Sequence, residues 1–209
     1  MLDKVPPSSL TDQKTSLSAL PQAVIMRSSG QIGHDIRVLR QSRGWTLTEL
    51  ADHLDRSIGW LSQVERGTSE PLLADIRKIA ELFSLPFSFF FSSSPESEET
   101  EHVVRANSRR IMHDNATDLR EELLSPDLGG RFEMLRSVFG PGSRITAPVT
   151  RETEEAGYLI SGTLTLTLDG QTYDLKPGDS FRFAGETMSW ANNGKEDAVV
   201  IWVIAPPIY

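Results

Sequence analysis

Cysteine is absent from the 209 residues, and histidine occurs only four times, at His34, His53, His102 and His113. Without thiols, cysteine zinc sites, disulfide scaffolds and thiol nucleophiles are excluded. Long apolar runs are missing too. The longest, AVVIWVIA near the C-terminal end, falls far short of the ~20 residues that cross a bilayer. The N-terminus lacks a basic segment followed by an apolar core, so no secretory signal is expected. These absences set the expectation of a soluble, cytoplasmic protein with no membrane partner. An excess of positive charge is also lacking: the formal net charge is −8. Residues 1–27 carry 3 Lys/Arg against 2 Asp/Glu, residues 28–95 carry 7 against 8, and residues 96–209 carry 11 against 19. The C-terminal half repels polyanions, so any contact with nucleic acid falls to the near-neutral middle.

What is present divides into regions of different period. Residues 1–27, rich in Ser, Pro and Thr, read as a disordered arm. From Gln31 the period is helical: Ile32, Ile36 and Leu39 share one face. Thr46 can cap a second helix that buries Leu47, Leu50 and Ala51, and Ser57 can cap a third that stops at Gly67. Pro71 opens a fourth, with Leu73, Ile76, Ile79, Ala80 and Phe83 inward, and LPFSFFF is read as a short fifth that closes the bundle. The helical region is 28–91. SSSPESEET, within 92–100, reads as a linker. Over 101–209 the period falls to two. GTLTLTLDGQTYDL alternates and carries Asp169-Gly170, a strong hairpin signal. KPGDSFRFAG and AVVIWVIAPP add strands, so a barrel or sandwich is expected.

Two helices joined by a short turn, the second capped by Ser and ended by Gly, make a helix-turn-helix. IGHDIRVLRQSRGWTLTELADHL, LSQVERGTSEP and LADIRKIAELF resemble, in order, the phage-repressor-like (XRE) family of DNA-binding domains. Leu61 and Val64 face the bundle, which leaves Ile58, Gly59, Ser62 and Gln63 on the exposed side, where that family reads bases. Gln63 suits a bidentate contact to adenine, and Ser62 a base or phosphate. Thr46, Thr48 and Ser57 stand at helix starts, where hydroxyls and free amides meet phosphate. Arg43, Arg56 and Arg66 complete the expected DNA-contacting set. The resemblance also implies an internal ion pair between Arg40 and Glu65, not a DNA contact. Two positions depart from the family: Asp55-Arg56 stands where glycine and a buried apolar residue are usual, and Ser84 where glycine is usual.

ELLSPD, GYLISGTLTLTLDGQTYDLKPGDSFRF and WVIAPP resemble a cupin, in the order of helix-turn-helix regulators that carry a cupin sensor. The resemblance implies a multidomain α plus all-β protein: a five-helix repressor-like bundle followed by a cupin (double-stranded β-helix, jelly-roll) barrel. Metal-bearing cupins supply two histidines and a glutamate ahead of the GYLISG-like strand and a third histidine later. Here Glu155 takes the glutamate position, the early histidine positions fall within Pro148 to Arg151, and the late one at Ser189. No metal and no cofactor are therefore expected. Glu152 and Glu154 read as exposed acids, at mixed parity to Glu155. A ligand-free barrel can still enclose a pocket, with Arg151, Glu155 and Ser189 as polar groups and Leu159, Phe181 and Phe183 as walls. Tyr158, Trp190 and Trp202 default to packing.

The resulting expectation is a sequence-specific transcriptional regulator, a repressor rather than an enzyme. Its partners are double-stranded operator DNA and a small-molecule effector, and it works as a homodimer that sets two recognition helices about one DNA turn apart. The rival is a cupin enzyme, an oxygenase, epoxidase or metal-free isomerase or lyase using Glu155, with the helices as scaffold. The metal-dependent forms require histidine ligands that the β region lacks.

Overall fold

The structure is a computed structural model that describes residues 25–26, 28–92, 102–114 and 119–209. Residues 1–24 and 27 of the expected arm, and residues 93–100 of the expected linker, lie outside the described residues.

Four α-helices form the N-terminal bundle: α1 (Ser29–Ser42), α2 (Leu47–Leu54), α3 (Ile58–Glu65) and α4 (Leu73–Leu82). Ser28 and Gln31 close a reciprocal capping box on α1, and Thr46 and Glu49 another on α2. Ile32, Ile36, Leu39, Leu50, Leu61, Val64, Ile76 and Ile79 are fully buried, so each helix contributes one apolar stripe to a common core. α1 and α3 approach so closely at Gly33 that a Cβ there would sit 2.0 Å from the Val64 carbonyl oxygen. The expected fifth helix does not form. Phe87–Phe90 makes one 3-10 turn that buries Phe89 and Phe90, and the chain then extends. An aromatic run has weak helix propensity, and backbone pairing wins: β2 (Phe91–Ser92) pairs antiparallel with β1 (Ile25–Met26), at the end of the expected arm.

The C-terminal half contains β3 (Ile111–Asp114), β4 (Leu119–Leu123), β5 (Glu133–Phe139), β6 (Glu154–Ser161), β7 (Leu164–Leu168), β8 (Gln171–Leu175), β9 (Ser180–Ala184), β10 (Met188–Ala191) and β11 (Ala198–Ala205). The closed barrel expected for this half is not what forms. The strands make two open antiparallel sheets, one ordered β3-β4-β5-β11-β6-β9 and the other β10-β7-β8, with no strand in common. The segment beside β10 makes only isolated bridges, Arg144 to Ala191 and Val149 to Met188. Pro148 in that segment has no N–H to donate, which works against a continuous ladder. Asp169 and Gly170 both take positive φ, 47° and 82°, and join β7 to β8 as the hairpin signal predicts.

β5 and β11 alternate buried and half-buried along their lengths. Their inward side chains, with Leu123 and Leu159, meet Leu164, Leu166, Met188 and Trp190 of the smaller sheet in one core. Phe139 and Trp190 join the sheets edge to face, with ring centroids 4.6 Å apart.

Candidate nucleic-acid interface and cavity

The α2–turn–α3 unit is held by one arginine. Arg40, near the end of α1, donates to both oxygens of Glu65 at 2.7 and 2.9 Å and to the Trp45 carbonyl oxygen at 2.7 Å. This is the ion pair the family resemblance implies. It ties α1, the loop before α2 and the end of α3 together, and the Glu65 carboxylate raises the Arg40 pKa. Asp55, in the turn, adopts the left-handed conformation at φ 56° and ψ 46°. Ser57 then caps α3, its hydroxyl oxygen accepting the Trp60 N–H.

Leu61 and Val64 point into the core, while Ser57, Ile58, Gly59 and Gln63 are exposed and Ser62 is half-buried. Ile58 is 48% exposed, and a Cβ at Gly59 would meet nothing within 4 Å. Packing does not ask for glycine there. Thr46 and Thr48 are exposed, but the Thr46 N–H and hydroxyl both donate to Glu49, which holds that carboxyl below its usual range.

The three arginines of the expected set have different surroundings. Arg66 is exposed, with no ion pair or side-chain hydrogen bond among the described residues. Arg56 contacts Asp75 of α4 at 2.8–2.9 Å and lies over the Trp60 ring. Arg43 donates to the Tyr209 carbonyl oxygen at 2.9 Å and lies over Phe83. Both therefore have a contact to release or share before meeting a phosphate.

The helical and β halves also meet through a buried pair. Arg110 bonds Asp35 of α1 at 2.8 Å, with side chains 6% and 4% exposed, and lies over the Phe89 ring. Neither residue was marked by a sequence motif.

Near this junction lies a cavity of about 450 Å³. Phe83, Ser84, Leu85 and Arg43 line it from the helical side; Met112, Leu135, Phe139, Met188, Trp190 and Trp202 are among its walls from the sheets. Of the six expected pocket residues, Arg151 lines the cavity. Glu155 is 1% exposed and sits behind it, accepting from Thr153 Oγ1 at 2.9 Å, Trp202 Nε1 at 2.8 Å and Arg151 Nη1 at 3.4 Å. Leu159, Phe181, Phe183 and Ser189 are not among the lining residues. Phe181 and Phe183 pack on each other and on Trp202, and the residues on either side of Ser189, Met188 and Trp190, line the cavity instead. Glu152 and Glu154 are exposed, the latter paired with Arg182.

Two acids that the sequence reading passed over, Glu121 and Glu133, line the cavity. Strand alternation could have found them, since Glu133 shares parity with the buried Leu135, Ser137 and Phe139, and Glu121 with Leu123. Ser137 donates to Glu121 at 2.8 Å and the Ile208 N–H to Glu133 at 3.2 Å. Burial pushes both carboxyls up, Glu133 to about 7, with Glu121 and Glu155 adding repulsion and Arg151 opposing it. Among the described residues, no group of three His, Cys, Asp or Glu could hold a metal ion. No described helix is long and apolar enough to cross a membrane.

Comparison with known proteins agrees with both halves. The Helix-turn-helix domain family matches residues 31–86 and the Cupin domain family residues 135–204. The chain is 32% identical over 164 residues to the HTH-type transcriptional regulator SutR of Escherichia coli (strain K12), covering 78% of this chain and 88% of that protein. It is 23% identical over 150 residues to the regulator PuuR of the same organism, covering 71% and 80% respectively. A solved HTH_3 family transcriptional regulator from Vibrio cholerae aligns with 86% of this chain and 97% of its own, at 24% identity and a TM-score of 0.40. With a DNA-reading unit on α2 and α3, a cupin domain without a metal-binding cluster among its described residues, and SutR matched across most of both chains, this protein belongs to the HTH-type transcriptional regulators that join an N-terminal helix-turn-helix domain to a C-terminal cupin domain.

Proposed function

We propose that this DNA-binding regulator works as a homodimer whose cupin domain senses a small molecule, without a transition metal and without transforming it. The observation that carries the reading is the mixed wall of the cavity. Phe83, Ser84 and Leu85, at the end of α4, face the same space as Glu133, Trp190 and Trp202. A molecule held there touches the DNA-reading bundle itself, so its binding and operator binding share contacts. Coupling of ~1–3 kcal/mol changes operator affinity about 5- to 150-fold.

The exposed face of α3 reads the operator, with Gln63 as the base-contacting residue and Arg66 at the phosphates. For dimerisation, the support is the outer side of the larger sheet. Tyr158 and Ile160 on β6 are 49% and 48% exposed, with Ile201 beside Tyr158 on β11. A second copy covering that apolar strip would place two α3 helices on one duplex.

The test starts by selecting a bound sequence from a random duplex pool with the full-length protein. Gln63→Ala is then expected to weaken specific binding by about 1–3 kcal/mol, with the salt dependence of non-specific binding unchanged. Equal affinity of the two proteins for the selected site would remove Gln63 from base reading.

A further inference from the structure

We propose that the cavity takes a small organic cation, an ammonium group on an apolar body, held by Glu121 and Glu133 against the rings of Trp190 and Trp202. The inference rests on the sensing role proposed above and assigns its ligand class. Two carboxylates line this space from different strands, Glu121 on β4 and Glu133 on β5, and a third, Glu155 on β6, sits behind its wall. Glu155 is provided for, with Thr153, Trp202 and Arg151 as donors. Glu121 and Glu133 are not. Each accepts one hydrogen bond, and neither has an ion-pair partner among the described residues. Both side chains line the cavity, and the Oε2 atom of each accepts no hydrogen bond among the described residues.

Glu133 is 2% exposed, and the groups acting on it are Glu121, Glu155, Arg151 and the Tyr209 phenol. His113, opposite Glu121 on β3, and Arg151 line the same cavity and act on Glu121. Removal from water is the main cause that raises both free carboxyls; Arg151 opposes it at both and His113 at Glu121, without cancelling it. An ammonium group supplies the missing charge and up to three donors. A metal ion suits the site less well, because no three donors come together to hold one among the described residues. The remaining walls, Phe139, Trp190, Trp202 and Leu135, favour an apolar body, and the indole faces add cation–π attraction. The other arginines that line the cavity do not change this balance: Arg43 is engaged by Tyr209 and Arg144 is exposed.

Calorimetric titration of the full-length protein tests the assignment with phenethylamine and hexylamine as cations, 3-phenylpropanoate as the anion and 2-phenylethanol as the neutral shape. At least one amine is expected to bind about tenfold or more tightly than the alcohol and the acid. Its affinity should rise from about pH 6 to about pH 8, as Glu133 ionises through about 7 while the ammonium stays charged. Glu133→Gln and Glu121→Gln should each cost about tenfold; Glu152→Gln, at an exposed acid outside the cavity, should cost nothing, and urea unfolding of each variant separates pairing from misfolding. The proposal is overturned if neither amine binds up to about 10 mM, if acid or alcohol binds as tightly, or if both glutamine variants bind like the parent. Operator affinity, read with and without each probe, tests the sensing role separately. Amine binding that leaves operator affinity unchanged removes the sensing role and keeps the site. A response to 3-phenylpropanoate alone keeps the sensing role and removes the cation.

Discussion

Arg110→Met removes the guanidinium that joins the β half to α1. In the folded protein the Arg110–Asp35 contact is 2.8 Å long and both side chains are more than nine-tenths buried. The variant takes this guanidinium from the Asp35 carboxylate in a low-dielectric interior, which costs up to about 3–5 kcal/mol. Loss of the Phe89 ring contact, 4.9 Å from the guanidinium carbon, adds about 0.5–1 kcal/mol. Set against a whole-domain stability of about 5–15 kcal/mol, this is a large fraction. Adding Asp35→Leu should restore most of the loss, because an apolar pair of similar volume replaces a buried ion pair at little net cost. The assay is urea unfolding of the parent, both single variants and the double variant, followed by circular dichroism and combined as a double-mutant cycle. The reasoning fails if Arg110→Met costs less than about 1 kcal/mol, or if the double variant loses the sum of the two singles. Since this pair fastens the DNA-reading bundle to the cupin domain, Arg110→Met should also reduce whatever effect a cavity ligand has on operator affinity.

Three further outcomes are expected. Asp55 and Ser84 hold positive φ, 56° and 57°, so glycine at either position should stabilise the bundle by about 0.5–1 kcal/mol, read as a rise in the urea midpoint. Gly59→Ala should stabilise α3 by a similar ~0.5–1 kcal/mol, because the methyl meets no protein atom, yet weaken binding to the selected operator by crowding the exposed face. Equal operator affinity would show that the backbone at Gly59 stays clear of DNA. The Glu133 carboxyl has a folded-state pKa of about 7 against an ordinary 4.5, so the folded protein holds that proton more tightly than the unfolded chain. Its contribution is therefore full below the ordinary value and lost as pH rises through about 7, a fall of about 3 kcal/mol. Glu133→Gln keeps an acceptor for the Ile208 N–H and should flatten this dependence in unfolding experiments at about pH 5 and about pH 8.

The helical half was legible because its signals are local. Apolar spacing placed Ile32, Ile36 and Leu39 inward, and Ser57 and Thr46 cap the helices they were assigned. The Arg40–Glu65 pair follows the family pattern, and its two hydrogen bonds bear that out. The fifth helix failed because LPFSFFF answers to a distant partner, the strand pairing of Phe91 with Met26, which no local period announces. The pocket was less legible. Counting positions toward a metal-bearing pattern selected Ser189, whereas Met188 and Trp190 are the residues of β10 that line the cavity. Glu121 and Glu133 were not legible by position, since inward acids on alternating strands look like outward polar positions until the face is known.

The sequence by itself determined the division into a helical and an all-β half, the Thr46 and Ser57 helix caps, the Asp169-Gly170 hairpin and the absence of a histidine ligand set, because each depends on residue type and short spacing. Only the tertiary structure decided that the sheets stay open, that Arg43 and Arg56 already have partners, and that Asp35 and Arg110 join the two halves. It alone brought Glu121, Glu133 and Arg151 to one cavity beside the end of α4. Those facts depend on contacts between residues far apart in the chain, where burial, not sequence spacing, sets which charges meet and which are left without a partner.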